Sequence, residues 1–487
     1  MQQNRLSTLL SAIVLSFLCL TVANKTALAQ TAPQAETAKS AEAVEPVTNS
    51  KLDAETFYKL LLGELNLLDE EPRIAFALIL DSARKTKEDA LFERAVTIAL
   101  QSRSGESALS ASRAWLVAKP TSLAAARYMV QISTAMNRLD QPAGKADIAI
   151  ALQVTKIALA TNPADADAAQ LAVTMMATKE PLAEQLVKQY LENKTSKPKP
   201  EVRLAYSRAL VTDSRFNDAK AQVQKLSVDE PTFAPGWLVL GTLQYQESQE
   251  IVEKQGVTAA SKASNDAAET SLKKYIQLTD SLPPGQRAAS QQRAYVLLAN
   301  MAKTNKQYQQ AYDILSKIIA SSKASNEDTD NELADLQYDL AMMAEKLAKL
   351  DDMERILRQI IAAKPNDPQA YNALGYSLAE RNTRLPEAKA LIQQAVKLAP
   401  QDPFIADSLG WVEYRMGNLT EAQRVLEKAY KTKPDAEIAA HLGEVLWKQG
   451  LKDRATAVWK EGVSINKNND TLVETLKRFG IKINLQP

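Results

Sequence analysis

One cysteine and one histidine in 487 residues leave almost no material for a zinc site, a Cys–His nucleophile or a disulfide framework. Glycine is scarce as well, 14 residues, about 3% of the chain against a usual ~7%. That argues against turn-rich β folds and against glycine-loop nucleotide sites. Charge of one sign is missing too: 59 Lys and Arg face 58 Asp and Glu, so no global excess drives binding to nucleic acid or to a membrane surface. There is no G-x-S-x-G, no G-x-x-x-x-G-K-[ST] and no G-x-G-x-x-G. Ser82 to Lys85 and Ser271 to Lys274 match a Ser/Lys nucleophile spacing, but chance supplies such pairs in a chain rich in Ser, Ala and Lys. No catalytic residue, cofactor or metal is expected. At this length one ordinary core is ruled out, leaving several domains or an extended repeat array.

The first 50 residues read as export and leader. Arg5 precedes a mostly apolar run from Leu9 to Ala23, and Ala27-Leu28-Ala29 forms a small-x-small cleavage site, the layout of a secretory signal peptide over 1–29. The run is about 15 residues, short of the ~20 a spanning helix needs, so no transmembrane span is expected after cleavage. Cleavage would remove Cys19. Leu18 stands where lipid attachment wants a small residue, so there is no lipobox, and an outer-membrane lipoprotein is not expected. Residues 30–50 carry two prolines and almost nothing to bury, which predicts a disordered leader. The expected location is periplasmic.

From Leu52 onward the chain reads as amphipathic helices, and near its end they repeat. Leu374-Gly375, Leu409-Gly410 and Leu442-Gly443 recur, with Ala388, Ala422 and Ala455 and then Ala395, Ala429 and Gly462 in step. Pro400 and Pro434 close the first two units. A period near 34 with these offsets is the tetratricopeptide (TPR) pattern. The Leu-Gly pair and the later Ala let two helices approach, Ile392, Leu426 and Trp459 fill between them, and Pro ends the second helix. Followed backwards, weaker copies predict an all-α TPR superhelical solenoid of about eleven helix pairs with a cap helix at Asp470–Phe479. The expected division is a degenerate N-terminal array at 51–286, a C-terminal array at 287–467, and a cap helix and tail at 468–487. An insertion near 247–266 is expected as a solvated loop.

Such an array offers a concave groove lined by the first helix of each pair. Repeat positions that face it hold Asn372 and Tyr376, then Phe404, Asp407, Trp411, Tyr414 and Arg415, then His441, Glu444 and Trp447. Aromatics flanked by both signs of charge suit anchors for a peptide or protein segment. Against that stands self-packing of the same rings on neighbouring repeats or under the cap helix. His441 has no second histidine and reads as a groove or surface residue rather than a ligand.

Four strings carry a closer likeness: Thr56 to Leu61 and Arg203 to Leu210, which many TPR proteins could share, and Ala406 to Arg415 and Glu437 to Trp447, which are more specific than the repeat consensus. In these the chain resembles a proteobacterial family of exported TPR proteins, which includes the lipoprotein adaptor of a carboxyl-terminal processing protease. The resemblance implies a non-enzymatic adaptor that brings peptidoglycan hydrolases to that protease. The missing lipobox departs from it. An assembly factor for an envelope machine, such as a pilus or exopolysaccharide exporter, is the alternative.

Overall fold

The computed structural model describes residues 53–322 and 330–482, so the signal peptide and leader expectations lie outside the described residues. Among these, the chain forms 23 α-helices: α1 (Ala54–Leu68), α2 (Pro72–Thr86), α3 (Asp89–Gln101), α4 (Gly105–Ala118), α5 (Leu123–Ala135), α6 (Pro142–Thr161), α7 (Ala166–Met175), α8 (Pro181–Leu191), α9 (Pro200–Thr212), α10 (Phe216–Asp229), α11 (Ala234–Gln255) and α12 (Ala259–Thr279). There follow α13 (Pro284–Thr304), α14 (Tyr308–Ser322), α15 (Asp330–Lys346), α16 (Leu350–Ala363), α17 (Pro368–Glu380), α18 (Leu385–Leu398), α19 (Pro403–Arg415), α20 (Leu419–Thr432), α21 (Ala436–Lys448), α22 (Lys452–Ile465) and α23 (Asp470–Phe479). Through α1–α10 and again through α13–α22, odd and even members pair as hairpins, each stacked on the next within its run; α11 packs on α10, and α23 packs on α21 and α22. The fold is the all-α, TPR-like stack of helix pairs that the periodicity implies.

Packing divides the chain into two units, residues 1–274 and 275–487. The division falls within α12, about a dozen residues before the boundary read from the sequence. In the first unit the second helix of the sixth pair begins early. Residues 250–265 are helical except for a break at Gly256–Thr258, so the expected solvated loop is instead an extension of α11 and α12. Ser248 and Ser261 are buried there, with the Ser248 hydroxyl donating to the Ser261 carbonyl at 2.8 Å.

The repeat residues act as the spacing implies. Asp367, Asp402 and Asp435 each cap a helix, accepting from the backbone N–H of Gln369, Phe404 and Glu437 at 2.8, 2.9 and 2.8 Å. Pro368 and Pro403 follow at the first helical position, where a missing N–H costs nothing. Gly443 lies against the Trp459 indole so closely that a Cβ would overlap it. Ile392, Leu426 and Trp459 are fully buried between the paired helices.

One regularity is not written in glycine. A left-handed residue follows the first helix of each pair, as at Asn137, Ser214, Lys306, Ala348, Asn382, Gly417 and Gly450. Most of these positions carry a side chain.

Candidate protein-binding groove

The second unit brings the ten candidate residues onto three consecutive first helices, α17, α19 and α21. Helix spacing of three and four puts Asp407, Trp411 and Tyr414 on one side of α19, and His441 and Glu444 on the matching side of α21. The side chains do not stand apart as separate anchors. Most of them bond to one another.

His441 is 1% exposed and is the hub. Its Nδ1 lies 2.9 Å from Asp407 Oδ2 and its Nε2 lies 3.4 Å from the Tyr376 hydroxyl, two repeats away. Its ring stacks on Trp411 with centroids 4.2 Å apart. Burial alone would push the imidazole toward its neutral form. The Asp407 carboxylate, by charge and by hydrogen bond, and then Glu437 and Glu380 outweigh that and hold its pKa at about 9. His441 is therefore an imidazolium at neutral pH, donating to Asp407 from Nδ1.

The network continues on both sides. Trp411, 2% exposed, donates from Nε1 to Glu380 Oε2 at 2.7 Å, and Arg415 lies over its ring while donating to the Glu380 backbone carbonyl. Tyr414 donates to Glu444 at 3.1 Å, and burial followed by the charge of Glu444 pushes that phenol up to about 12. Glu444, itself 3% exposed, pairs with Arg478 of the cap helix at 2.5 Å. Trp447 packs against Trp459 and Phe479, with centroids 5.6 and 5.8 Å away, and those two rings also touch each other.

Asp407, Trp411, His441 and Glu444 thus sit inside the stack, not on an open wall. Tyr376, Phe404, Tyr414, Arg415, Trp447 and Asn372 are half-buried and keep an edge outward. Phe404 carries Lys433 over its ring at 4.7 Å, and Asn372 Oδ1 is buried without a hydrogen-bond partner. Position-by-position reasoning missed Arg478 and Phe479 because they belong to the cap. The sequence signal for them is the cap's strong amphipathicity, with Leu472, Leu476 and Phe479 on one side. Among the described residues no group of three His, Cys, Asp or Glu is placed to hold a metal ion, and no helix is long and apolar enough to cross a membrane.

Residues 338–403 and 408–463 match the tetratricopeptide repeat family model. A TPR repeat-containing protein of Pseudomonas aeruginosa is 33% identical over 150 residues, which cover 31% of this chain and 24% of the relative, so the match spans about a quarter of that protein's length. Among solved structures, yeast Tom70 aligns over 87% of this chain and 94% of its own at 14% identity and a TM-score of 0.35. A TPR protein from Parabacteroides merdae aligns over 57% and 97% at 15% identity and a TM-score of 0.43. TPR repeats are protein-interaction modules, and the chain described here carries tetratricopeptide repeats in its second unit.

Proposed function

We propose that the protein is a periplasmic, non-enzymatic adaptor that holds a carboxyl-terminal processing protease and peptidoglycan hydrolases together. The observation that carries the scaffold part is the run of in-register repeats from Pro368 to Ile465, each built on the same Asp cap, Leu-Gly pair and buried filler. Support for the protease-specific part comes from the strings Ala406 to Arg415 and Glu437 to Trp447, which resemble the exported adaptor family. The mechanism is concentration and orientation: tethering two proteins raises their effective local concentration without new chemistry.

Affinity capture from envelope extract, read by mass spectrometry, tests this. A bait with Trp411→Ala would disrupt a buried side chain, so the informative variant replaces the half-exposed edge, Asn372→Ala with Phe404→Ala. Recovery of the protease together with cell-wall hydrolases is the expected result, and loss of either from the variant would place it at that edge. Recovery of pilus or exporter subunits without the protease would overturn the protease reading in favour of an assembly factor.

A further inference from the structure

The first of the described helices, α1, is apolar on two sides. Thr56, Leu60, Gly63 and Leu67 face the repeat behind it, with Thr56 and Gly63 buried. Phe57, Leu61, Leu65 and Leu68, with Tyr58 beside them, face away. Phe57 and Tyr58 are 59% and 60% exposed, and Leu68 is 80% exposed. Spacing of three and four places these five on one stripe, a contiguous exposed apolar patch of the kind that marks an interaction site. The last helix, α23, behaves differently: Leu472 is buried, Leu476 and Phe479 pack inward, and Val473 is its one exposed large hydrophobic.

Charge says what fits the stripe. Its end runs into Asp69, Glu70 and Glu71, all exposed and without a cation partner among the described residues. The carbonyl end of α1 adds partial negative charge at the same place. The other acids near the stripe are already neutralised: Glu55 by Lys59 and Lys85, Asp53 by Lys85, and Glu64 by Arg94. A second copy laid parallel would set the acidic triplet against itself, and laid antiparallel would set it against an end where Lys59 and Lys85 are already engaged by Asp53, Glu55 and Asp81, leaving no free cation to receive it. An anionic membrane surface favours Lys and Arg along the polar edge of such a helix, not acids.

We propose that the outer face of α1 docks a cationic amphipathic helix of a partner protein, its apolar side on Phe57, Leu61, Leu65 and Leu68 and its Lys or Arg residues at Asp69–Glu71. The docked helix takes the place that a further repeat would occupy in the stack. The inference rests on the scaffold reading only in taking the partner to be a protein. Its test uses purified components, so it can fail while envelope capture succeeds.

The probe is a labelled 15-residue Leu/Lys amphipathic helix, compared with a Leu/Glu helix of the same pattern, titrated with the purified protein and followed by anisotropy. The Leu/Lys helix is expected to bind and the Leu/Glu helix to bind at least tenfold more weakly. Leu61→Glu with Leu68→Glu should weaken the Leu/Lys helix at least tenfold with an unchanged thermal melt, since both side chains are exposed. Asp69→Lys, Glu70→Lys and Glu71→Lys together should reverse the preference between the two probes. Equal binding of both probes, no binding of either, or insensitivity to these variants would overturn the proposal. So would a dimer in sedimentation that Leu61→Glu and Leu68→Glu dissolve, or binding to phosphatidylglycerol vesicles that the same variants abolish.

Discussion

The imidazole of His441 on α21 and the carboxylate of Asp407 on α19 form a buried ion pair, 2.9 Å apart, that joins two consecutive repeats. Both are closed from solvent, with side chains 2% and 6% exposed. The pair also fixes the ring that stacks on Trp411.

Because the folded pKa of His441 is raised from 6.5 to about 9, its share of stability is complete below pH 6.5 and is lost as pH climbs through 9. Chemical denaturation at a series of pH values should show the second unit weakening across that window. His441→Gln should flatten this slope. It should also lower stability at pH 7 by about 3 kcal/mol, since Asp407 is then left buried without a cation. An unchanged slope in His441→Gln would remove His441 as its source.

Gly443 meets Trp459 where α21 crosses α22, and the Trp459 indole donates to the Ala440 carbonyl at 3.2 Å. Alanine in mid-helix ordinarily gains about 1 kcal/mol over glycine. Here the methyl has no room, and the tryptophan, fully buried, cannot swing away. Gly443→Ala should therefore destabilise by about 1–3 kcal/mol. Gly443→Ala with Trp459→Leu should recover part of that loss in the same denaturation assay.

Ala348 adopts a φ of 56° in the turn after α15. A left-handed alanine costs about 1–2 kcal/mol, while glycine takes that conformation freely but loses more chain entropy on folding. The balance favours glycine, as at Gly417 and Gly450 in the equivalent turns. Ala348→Gly should raise the melting temperature slightly, by an amount equivalent to about 1 kcal/mol or less. A lower melting temperature would mean that the left-handed turn is not retained in solution.

Asp147 in the first unit is 2% exposed, and Arg113 grips it with two hydrogen bonds of 2.8 and 2.7 Å. Arg113→Met strands that carboxylate and should cost about 3 kcal/mol, whereas Arg113→Met with Asp147→Leu should recover most of it. Denaturation of the two variants, read against each other, gives the coupling between the residues.

The hairpins from Pro368 to Ile465 were legible because their signals are local. Leu-Gly, a small residue and proline recur at fixed offsets, and each reports a contact within its own hairpin. Two features escaped for physical reasons. The left-handed turns at Lys306 and Ala348 lack the glycine that would announce them, since the hairpin's packing holds the strained residue in place. The groove list named positions on the first helices of three repeats, but slot geometry alone does not tell a ring facing solvent from one facing the next repeat. Trp411 occupies an anchor position, yet Glu380 and His441, 31 and 30 residues away along the chain, close over it. The double-faced α1 could have been noticed in Phe57, Leu61, Leu65 and Leu68, but its inner face gave the same helical period.

The cap helix supplies the last prediction. Arg478 is half exposed, yet its partner Glu444 has a side chain only 4% exposed, shared with the Tyr414 hydroxyl. Removing the guanidinium leaves a buried carboxylate with one neutral donor, so Arg478→Ala should cost about 3 kcal/mol locally. That loss should loosen α23, whose other contacts are Leu472 and Leu476 in the core, Phe479 against Trp447 and Trp459, the Thr471 hydroxyl on Glu437 and the exposed Asp470–Lys306 pair. Hydrogen exchange should show faster exchange in Asp470–Phe479 and then in Ala436–Lys448, while the first unit stays protected. Trp447 should become more solvent-quenched in the same variant. Arg478→Lys, which keeps the charge but not the planar fork, should fall between wild type and alanine. If exchange in α23 is unchanged by Arg478→Ala, the aromatic cluster alone holds the cap and the ion pair is a surface decoration of it.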